Sequence, residues 1–442
     1  MRGLATPLIL VVVLAGLGGY IYFVEMKKPE ASADSKAKAF NVTAEQIEEL
    51  EIKVTGGDTS LARRTDSAWK LVQPVEADAD GSELTNMASS LATLDVQRVV
   101  DENPTDLAQY GLNPPAVEVG FRTKDQKNQG RLQIGDKTPT GGDVYAKRPD
   151  EKRVFLVSSF LEDTFKRSAF DLRDKTILKF DREKVDGLEL TKGGTTLQFA
   201  RKGADWSIVK PASMRADYAT VEGLVTSLSS TLMQKFVAPD ATPAELRQYG
   251  LDTPSASASI LMGSARASLL LGRTENAETY AKDAARPSIM MVAPTIVTDL
   301  SKTLADFRRK ELFDLRSFST KRVELKRGAD TFVAEKTSKD GKDVWRDAAG
   351  KDLDTAKVED MLTKLSGLKA VSFDAGTSAA LRSPTLTVQA SFGENTDENR
   401  TESVTFANAG NAVVASRPDE PGTAKLDGQG FSDVMQALDS LR

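Results

Sequence analysis

The side chains able to do chemistry in this chain are of a narrow kind. Its 442 residues contain no His and no Cys. That removes the Ser-His-Asp triad, the imidazole base or metal ligand, the thiolate nucleophile, Cys-based zinc and iron–sulfur sites, and disulfides. Carboxylates, Lys, Tyr, Ser and Thr remain. They would suit a glycosidase-type carboxylate pair, a Ser-Lys dyad or an all-oxygen metal site. The local patterns do not complete any of these. Glu76-x-Asp78-x-Asp80-Gly81 begins like a calcium loop, but the twelfth position is Met87 rather than Glu. Ser35-x-x-Lys38 and Ser366-x-x-Lys369 lack the companion S-D-N and K-T-G elements. No cofactor and no metal is expected. A formal charge of −5 argues against a nucleic-acid partner, because such binding rests on neutralising phosphates.

The residues that recur are of another type. Leu50-Glu51-Ile52 returns as Leu188-Glu189-Leu190 and as Val323-Glu324-Leu325. The three tryptophans of the chain, Trp69, Trp206 and Trp345, stand at matching distances from these triplets. Gln109-Tyr110-Gly111-Leu112 returns as Gln248-Tyr249-Gly250-Leu251. Ile134-Gly135 matches Leu271-Gly272, and Tyr145 matches Tyr280. Arg173-Asp174-Lys175 and Arg308-Arg309-Lys310 end two units. Self-similarity at this spacing means three copies of one domain, which suits a length of roughly 150 residues per domain.

Each recurring group admits a binding role and a structural one. The tryptophans would stack on sugars or peptides, or fill a core. The Tyr-Gly-Leu turns would mark a ligand pocket. Structurally, Gly supplies a positive φ, Leu fills the core and Tyr packs at the rim. The basic ends would meet anionic lipid or a partner, compensate a helix dipole, or form inter-domain salt bridges. The structural role is the expectation in each case.

The elements that must position these residues follow from periodicity. Asp80, Asp217 and Asp354 stand as N-caps. Behind them come Leu84, Met87, Ala88 and Leu91, then Val221, Leu224, Val225 and Leu228, then Val358, Met361, Leu362 and Leu365. That spacing is one face of an α-helix. Short alternating runs around it read as strands: 50–54, 60–64, 69–72, 116–122, 130–134, 144–147 and 153–157 in the first copy, closed by a helix near 160–168. The predicted fold class is α+β, mainly antiparallel, in three tandem repeats forming an elongated chain of domains. The third copy is degenerate: it keeps Leu381-Arg382-Ser383-Pro384 but has lost Tyr-Gly-Leu.

Residues 4–24 are apolar and long enough for a transmembrane signal anchor. No small-residue cleavage site follows. Ala15 and Gly19 form a small-x-x-x-small pair suited to helix packing in a bilayer. The expected order is a cytoplasmic tail 1–3, the anchor 4–24, a flexible linker 25–46, and repeat units 47–185, 186–321 and 322–442. The bulk of the chain is expected in the periplasm, on the inner membrane of a bacterium.

The ordered set W-x-L-x-x-P (Trp69, Leu71, Pro74), D-L-A-x-Y-G-L-x-x-P (Asp106 to Pro115), L-x-I-G-D (Leu132 to Asp136), Tyr145 and F-x-L-R-D-K (Phe170 to Lys175) resembles the bacterial domain-of-unknown-function family 4340. The resemblance covers residues 47–321 and, more weakly, the third copy. It implies an envelope accessory protein with no settled activity, partner to gliding-motility-type ABC transporter auxiliary proteins and permeases. A non-enzymatic scaffold is therefore the expected function. The alternatives are a binding module for envelope polymer or lipid and a carboxylate-dependent hydrolase.

Overall fold

The computed structural model describes residues 37–66, 68–124, 128–316, 318–339, 342–392 and 400–441. The proposed anchor 4–24, with Ala15 and Gly19, and the tail 1–3 lie outside the described residues. Among the described residues no helix is long and apolar enough to cross a membrane. The chain forms two compact units, one ending at Lys175 and one running from Thr176.

The first unit holds one antiparallel sheet of nine strands: β1 (Ile47–Val54), β2 (Thr59–Thr65), β3 (Ala68–Gln73), β4 (Ala77–Asp78), β5 (Arg98–Asp101), β6 (Val117–Thr123), β7 (Gln129–Lys137), β8 (Asp143–Lys147) and β9 (Val154–Ser158). Their order is β4-β3-β2-β1-β6-β7-β8-β9-β5. The second unit holds two sheets. One contains β10 (Gly187–Lys192), β11 (Thr195–Lys202), β12 (Asp205–Lys210), β13 (Met214–Arg215), β14 (Met233–Ala238), β15 (Ala256–Met262), β16 (Ala265–Glu275), β17 (Glu278–Asp283) and β18 (Ile289–Val292), ordered β13-β12-β11-β10-β15-β16-β17-β18-β14. The other contains β19 (Thr320–Arg327), β20 (Asp330–Lys339), β21 (Lys342–Arg346), β22 (Ala370–Asp374), β23 (Leu386–Phe392), β24 (Arg400–Ala409), β25 (Ala412–Ser416) and β26 (Thr423–Leu426), ordered β21-β20-β19-β23-β24-β25-β26-β22. The architecture is mainly β, in three sheets of matching topology. In the third copy the short edge strands β4 and β13 are reduced to a single antiparallel bridge, Arg346 to Asp352.

Each sheet buries one face and wets the other, as alternating strands require. Leu50 and Ile52 are buried while Glu51 and Lys53 point outward. The buried face is covered by the capped helix: Gly81–Ala92, Tyr218–Ser230 or Thr355–Ser366. Asp80 accepts from the N–H groups of Ser82 and Glu83, both at 3.0 Å. Asp217 accepts from Thr220 N–H at 2.8 Å, and Asp354 from Ala356 N–H at 3.0 Å. Each cap satisfies donors the helix cannot, a contribution of about 1 kcal/mol. The apolar stripes spaced along these helices are all buried. The outer faces carry ion pairs instead, such as Arg131 to Glu51 at 2.8 Å and Arg266 to Glu189 at 2.8 Å.

The copies begin earlier than residues 47, 186 and 322. Ahead of each recurring triplet, by the same interval, runs an extended strap: Ala39-Phe40-x-Val42, Ile177-Leu178, and Leu312-Phe313-x-Leu315. These named residues are all buried. The straps bond alike: Ala39 N–H to Leu94 O at 2.8 Å, Ile177 N–H to Thr231 O at 3.5 Å, and Leu312 N–H to Leu368 O at 3.1 Å. The linker drawn to residue 46 is thereby corrected. Residues 37–46 belong to the first copy: Phe40 sits edge-on to Phe121 at 5.1 Å, and residues 44–46 form a short 3₁₀ turn. The boundaries at 185 and 321 shift as well, because Ile177 and Leu178 pack into the second copy and Leu312, Phe313 and Leu315 into the third. The recurring triplet lies inside the domain, and burial of the preceding apolar pair sets where the domain starts.

Candidate functional site

The Tyr-Gly-Leu turns are built alike in the first two copies. Gly111 ends the 3₁₀ turn Ala108–Tyr110 with φ +65°, and Gly250 ends the helix Pro243–Tyr249 with φ +70°. This left-handed cap is cheap only for glycine. The next residue, Leu112 or Leu251, turns inward and is 3% exposed. The L-x-I-G glycine completes the joint. A Cβ on Gly135 would collide with the carbonyl oxygen of Tyr110, and one on Gly272 with that of Tyr249. The two motifs, about 25 residues apart in sequence, are thus one close backbone contact.

The tyrosines pair at its rim. Tyr110 lies 5.1 Å from Tyr145, and Tyr249 stacks on Tyr280 at 4.2 Å, all half-buried. The Tyr110 hydroxyl donates to Asp101 at 3.2 Å; burial and then this acceptor raise its pKa. The Tyr280 hydroxyl donates to Glu275 at 2.7 Å, and mainly through this bond its pKa is pushed up to about 12. Both phenols are held protonated and serve as hydrogen-bond donors, which is a packing role.

The surface beside the turn differs between copies. An open cavity of about 750 Å³ adjoins the second turn, lined by Arg247, Gly250, Asp252, Thr253, Ser255, Gly272, Arg273 and Thr274. In the first copy Ala108 and Asp136 occupy the positions of Arg247 and Arg273.

The other recurring residues are spent on the fold. Trp69, Trp206 and Trp345 are 4%, 3% and 1% exposed, so no ring face is open to a ligand. Trp69 donates to Thr85 at 3.3 Å and Trp206 to Glu222 at 2.8 Å, each sixteen residues on. Arg173 bridges the edge at Ala79, Asp174 N–H bonds Asp78 O at 3.0 Å, and Lys175 lies over the Phe170 ring at 5.2 Å. Asp80 is occupied as a cap, and among the described residues no group of three acids is placed to hold a metal.

Arg308-Arg309-Lys310 lies between the two sheets of the second unit. Arg309 N–H bonds Arg215 O at 3.0 Å, and Ala370 N–H bonds Lys310 O at 2.8 Å, so this short segment bridges the edges of both sheets. Glu420 gathers Arg215 at 2.6 Å and Arg308 at 3.1 Å, and Asp314 pairs with Arg309 and Arg215. The Arg308 guanidinium lies 4.0 Å over the Phe373 ring. Arg417 donates to Leu312 O at 2.7 Å and pairs with Glu402 at 3.3 Å. Burial and the neighbouring Asp314 push the Glu402 carboxyl above the usual range, against the pull of Arg417. Of the readings the basic end allowed, this is the inter-domain salt bridge.

The residues that clamp the straps escaped the motif search. Arg148-Pro149-Asp150-Glu151 and Arg417-Pro418-Asp419-Glu420 are the same tetrapeptide. Arg148 donates to Ala39 O at 3.0 Å as Arg417 does to Leu312 O, and each arginine pairs with its own aspartate. Direct repetition of R-P-D-E was the signal available. A groove of about 310 Å³ beside the first clamp is lined by Glu49, Glu51, Arg122, Arg131 and Asp150 among others. Arg63 holds Glu49, Arg131 holds Glu51 and Arg148 holds Asp150, so these carboxylates are committed to ion pairs.

The chain matches the family model described as "Domain of unknown function (DUF4340)" over residues 69–207 and 206–386. No curated protein matches it at a significant level. Among solved structures it is similar to the DNA polymerase sliding clamp from Pseudomonas aeruginosa with ligand: 10% identity, 87% of this chain and 92% of that chain covered, TM-score 0.16. A second structure of that clamp from the same organism gives 9%, 87%, 91% and 0.17. The isotype 1 transferrin binding protein B from serogroup B Neisseria meningitidis gives 10%, 84%, 64% and 0.08. Likenesses at these TM-scores carry no argument about fold or function.

Proposed function

The chain belongs to the family described as a domain of unknown function (DUF4340), and on that basis we propose that it is a membrane-anchored, extracytoplasmic accessory protein that acts by protein–protein contact. The observation that supports this reading most is where the recurrent residues are used. Caps, tryptophans, Tyr-Gly-Leu turns and clamps all build or join the copies, which suits a scaffold. The partner is an integral-membrane transporter or its auxiliary subunit. Residues 4–24 serve as the anchor, with the N-terminus in the cytoplasm.

The strap sharpens this proposal. Between residue 24 and the first described residue stand residues 25–36, a stretch of chain that can span about 43 Å at most. The first copy is therefore held near the bilayer, within reach of a partner's extracytoplasmic face. Purification of the full chain in mild detergent tests the reading. Recovery of a stoichiometric integral-membrane partner is expected; recovery of the chain alone from freshly solubilised membranes would count against it.

A further inference from the structure

We propose that the second Tyr-Gly-Leu turn is a binding site for a phosphate group, held between Arg247 and Arg273. The two arginines come from different elements, the last turn of the helix Pro243–Tyr249 and strand β16, and line the same open cavity of about 750 Å³. The Arg273 side chain crosses the face of Gly250, where a glycine leaves it room. Neither arginine has an ion-pair partner among the described residues, whereas Arg201, Arg266 and Arg286 of the same copy are paired with Glu222, Glu189 and Asp283.

A helix C-terminus favours a cation, which accounts for Arg247 alone. It does not account for a second unpaired guanidinium arriving from the sheet. Two arginines lining one cavity suit a phosphate, which a guanidinium can hold through two N–H donors. The lining also holds the Asp252 carboxylate, which accepts from the N–H of Thr253 at 2.9 Å and keeps its charge, so the two arginines must outweigh one acid. Glycines at 250 and 272 belong to the lining, at a close backbone contact that leaves no room for a Cβ. In the first copy the same backbone carries Ala108 and Asp136, so the first turn lacks this pair of arginines. This inference does not depend on the membrane reading.

The phosphate would be free, or part of a lipid headgroup. The test is calorimetric titration of the full chain in detergent with inorganic phosphate, and separately with glycerophosphoglycerol, the soluble headgroup of phosphatidylglycerol. Saturable binding of at least one probe near one per chain is expected, and the preferred probe identifies the source. Arg247→Gln and Arg273→Gln should each weaken it about tenfold or more, as loss of a charged hydrogen-bond donor does. Arg266→Gln, whose arginine is already paired, should leave it unchanged, and equal melting temperatures would show that all variants are folded. Absence of saturable binding for both probes, or unchanged affinity in the two site variants, would overturn the proposal.

Discussion

The first and second Tyr-Gly-Leu turns share a backbone and differ in charge. Both use a left-handed glycine, an inward leucine, a close glycine opposite and a tyrosine pair. Above that frame one carries Ala108 and Asp136 and the other Arg247 and Arg273. The frame is held by close backbone contacts that a Cβ would disturb, while the exposed surface differs between the copies. A similar contrast separates the two R-P-D-E clamps. In the third copy Glu420 is 4% exposed and reaches back to Arg215 and Arg308, whereas Glu151 in the first copy is 27% exposed and pairs locally with Arg148 and Arg153.

The largest expected effect breaks the clamp comparison. Glu420→Ala leaves the Arg308 and Arg215 guanidinium groups without their buried partner and should cost about 3–5 kcal/mol. Glu151→Ala removes a half-exposed pair and should cost about 0–1 kcal/mol. Chemical denaturation of both variants checks the difference; equal costs would mean the joint is not an ionic lock. Next come Gly135→Ala and Gly272→Ala. Each pushes a methyl group against a carbonyl oxygen and should cost about 1–3 kcal/mol, alike in the two copies. A harmless change in one of them would show that the frames are not equivalent.

A smaller effect concerns the tyrosines. The pKa of Tyr280 is pushed up to about 12, above the ordinary tyrosine value of about 10, mainly by the bond to Glu275. Its contribution to stability is therefore complete below pH 10 and is lost as pH rises from 10 towards 12. Ultraviolet titration should show a late-ionising phenol that disappears in Tyr280→Phe; a full set of phenols ionising near pH 10 would contradict the bond to Glu275. The smallest change in stability, within about 0.5 kcal/mol, is expected for the paired substitution Ala108→Arg with Asp136→Arg on the exposed rim. It should nonetheless raise the phosphate stoichiometry from one to two, carrying the second turn's property to the first.

Much of the fold was legible in local pattern. Asp80, Asp217 and Asp354 announced the helices, the apolar stripes named their buried faces, and Tyr110-Gly111-Leu112 revealed the cap. These signals are short-range and periodic. The straps were missed because Ala39-Phe40-x-Val42 follows a run of small and charged residues and has too few apolar positions to show a period. The joint was missed for another reason. Glu420 and Arg215 are 205 residues apart, and nothing local in either tells which partner it meets. The divergence of Arg247 and Arg273 from Ala108 and Asp136 was visible in an alignment of the copies, but its meaning needed the cavity that joins them.

Contact between the first copy and a membrane partner is directly testable because the chain contains no cysteine. A single Lys38→Cys substitution places a thiol on the exposed side of the strap, next to the short stretch leading to residues 4–24. With a thiol-linked photo-crosslinker in intact membranes, one discrete adduct to an integral-membrane protein is predicted. Adducts only to soluble proteins, or none while the chain remains in the membrane fraction, would contradict the account.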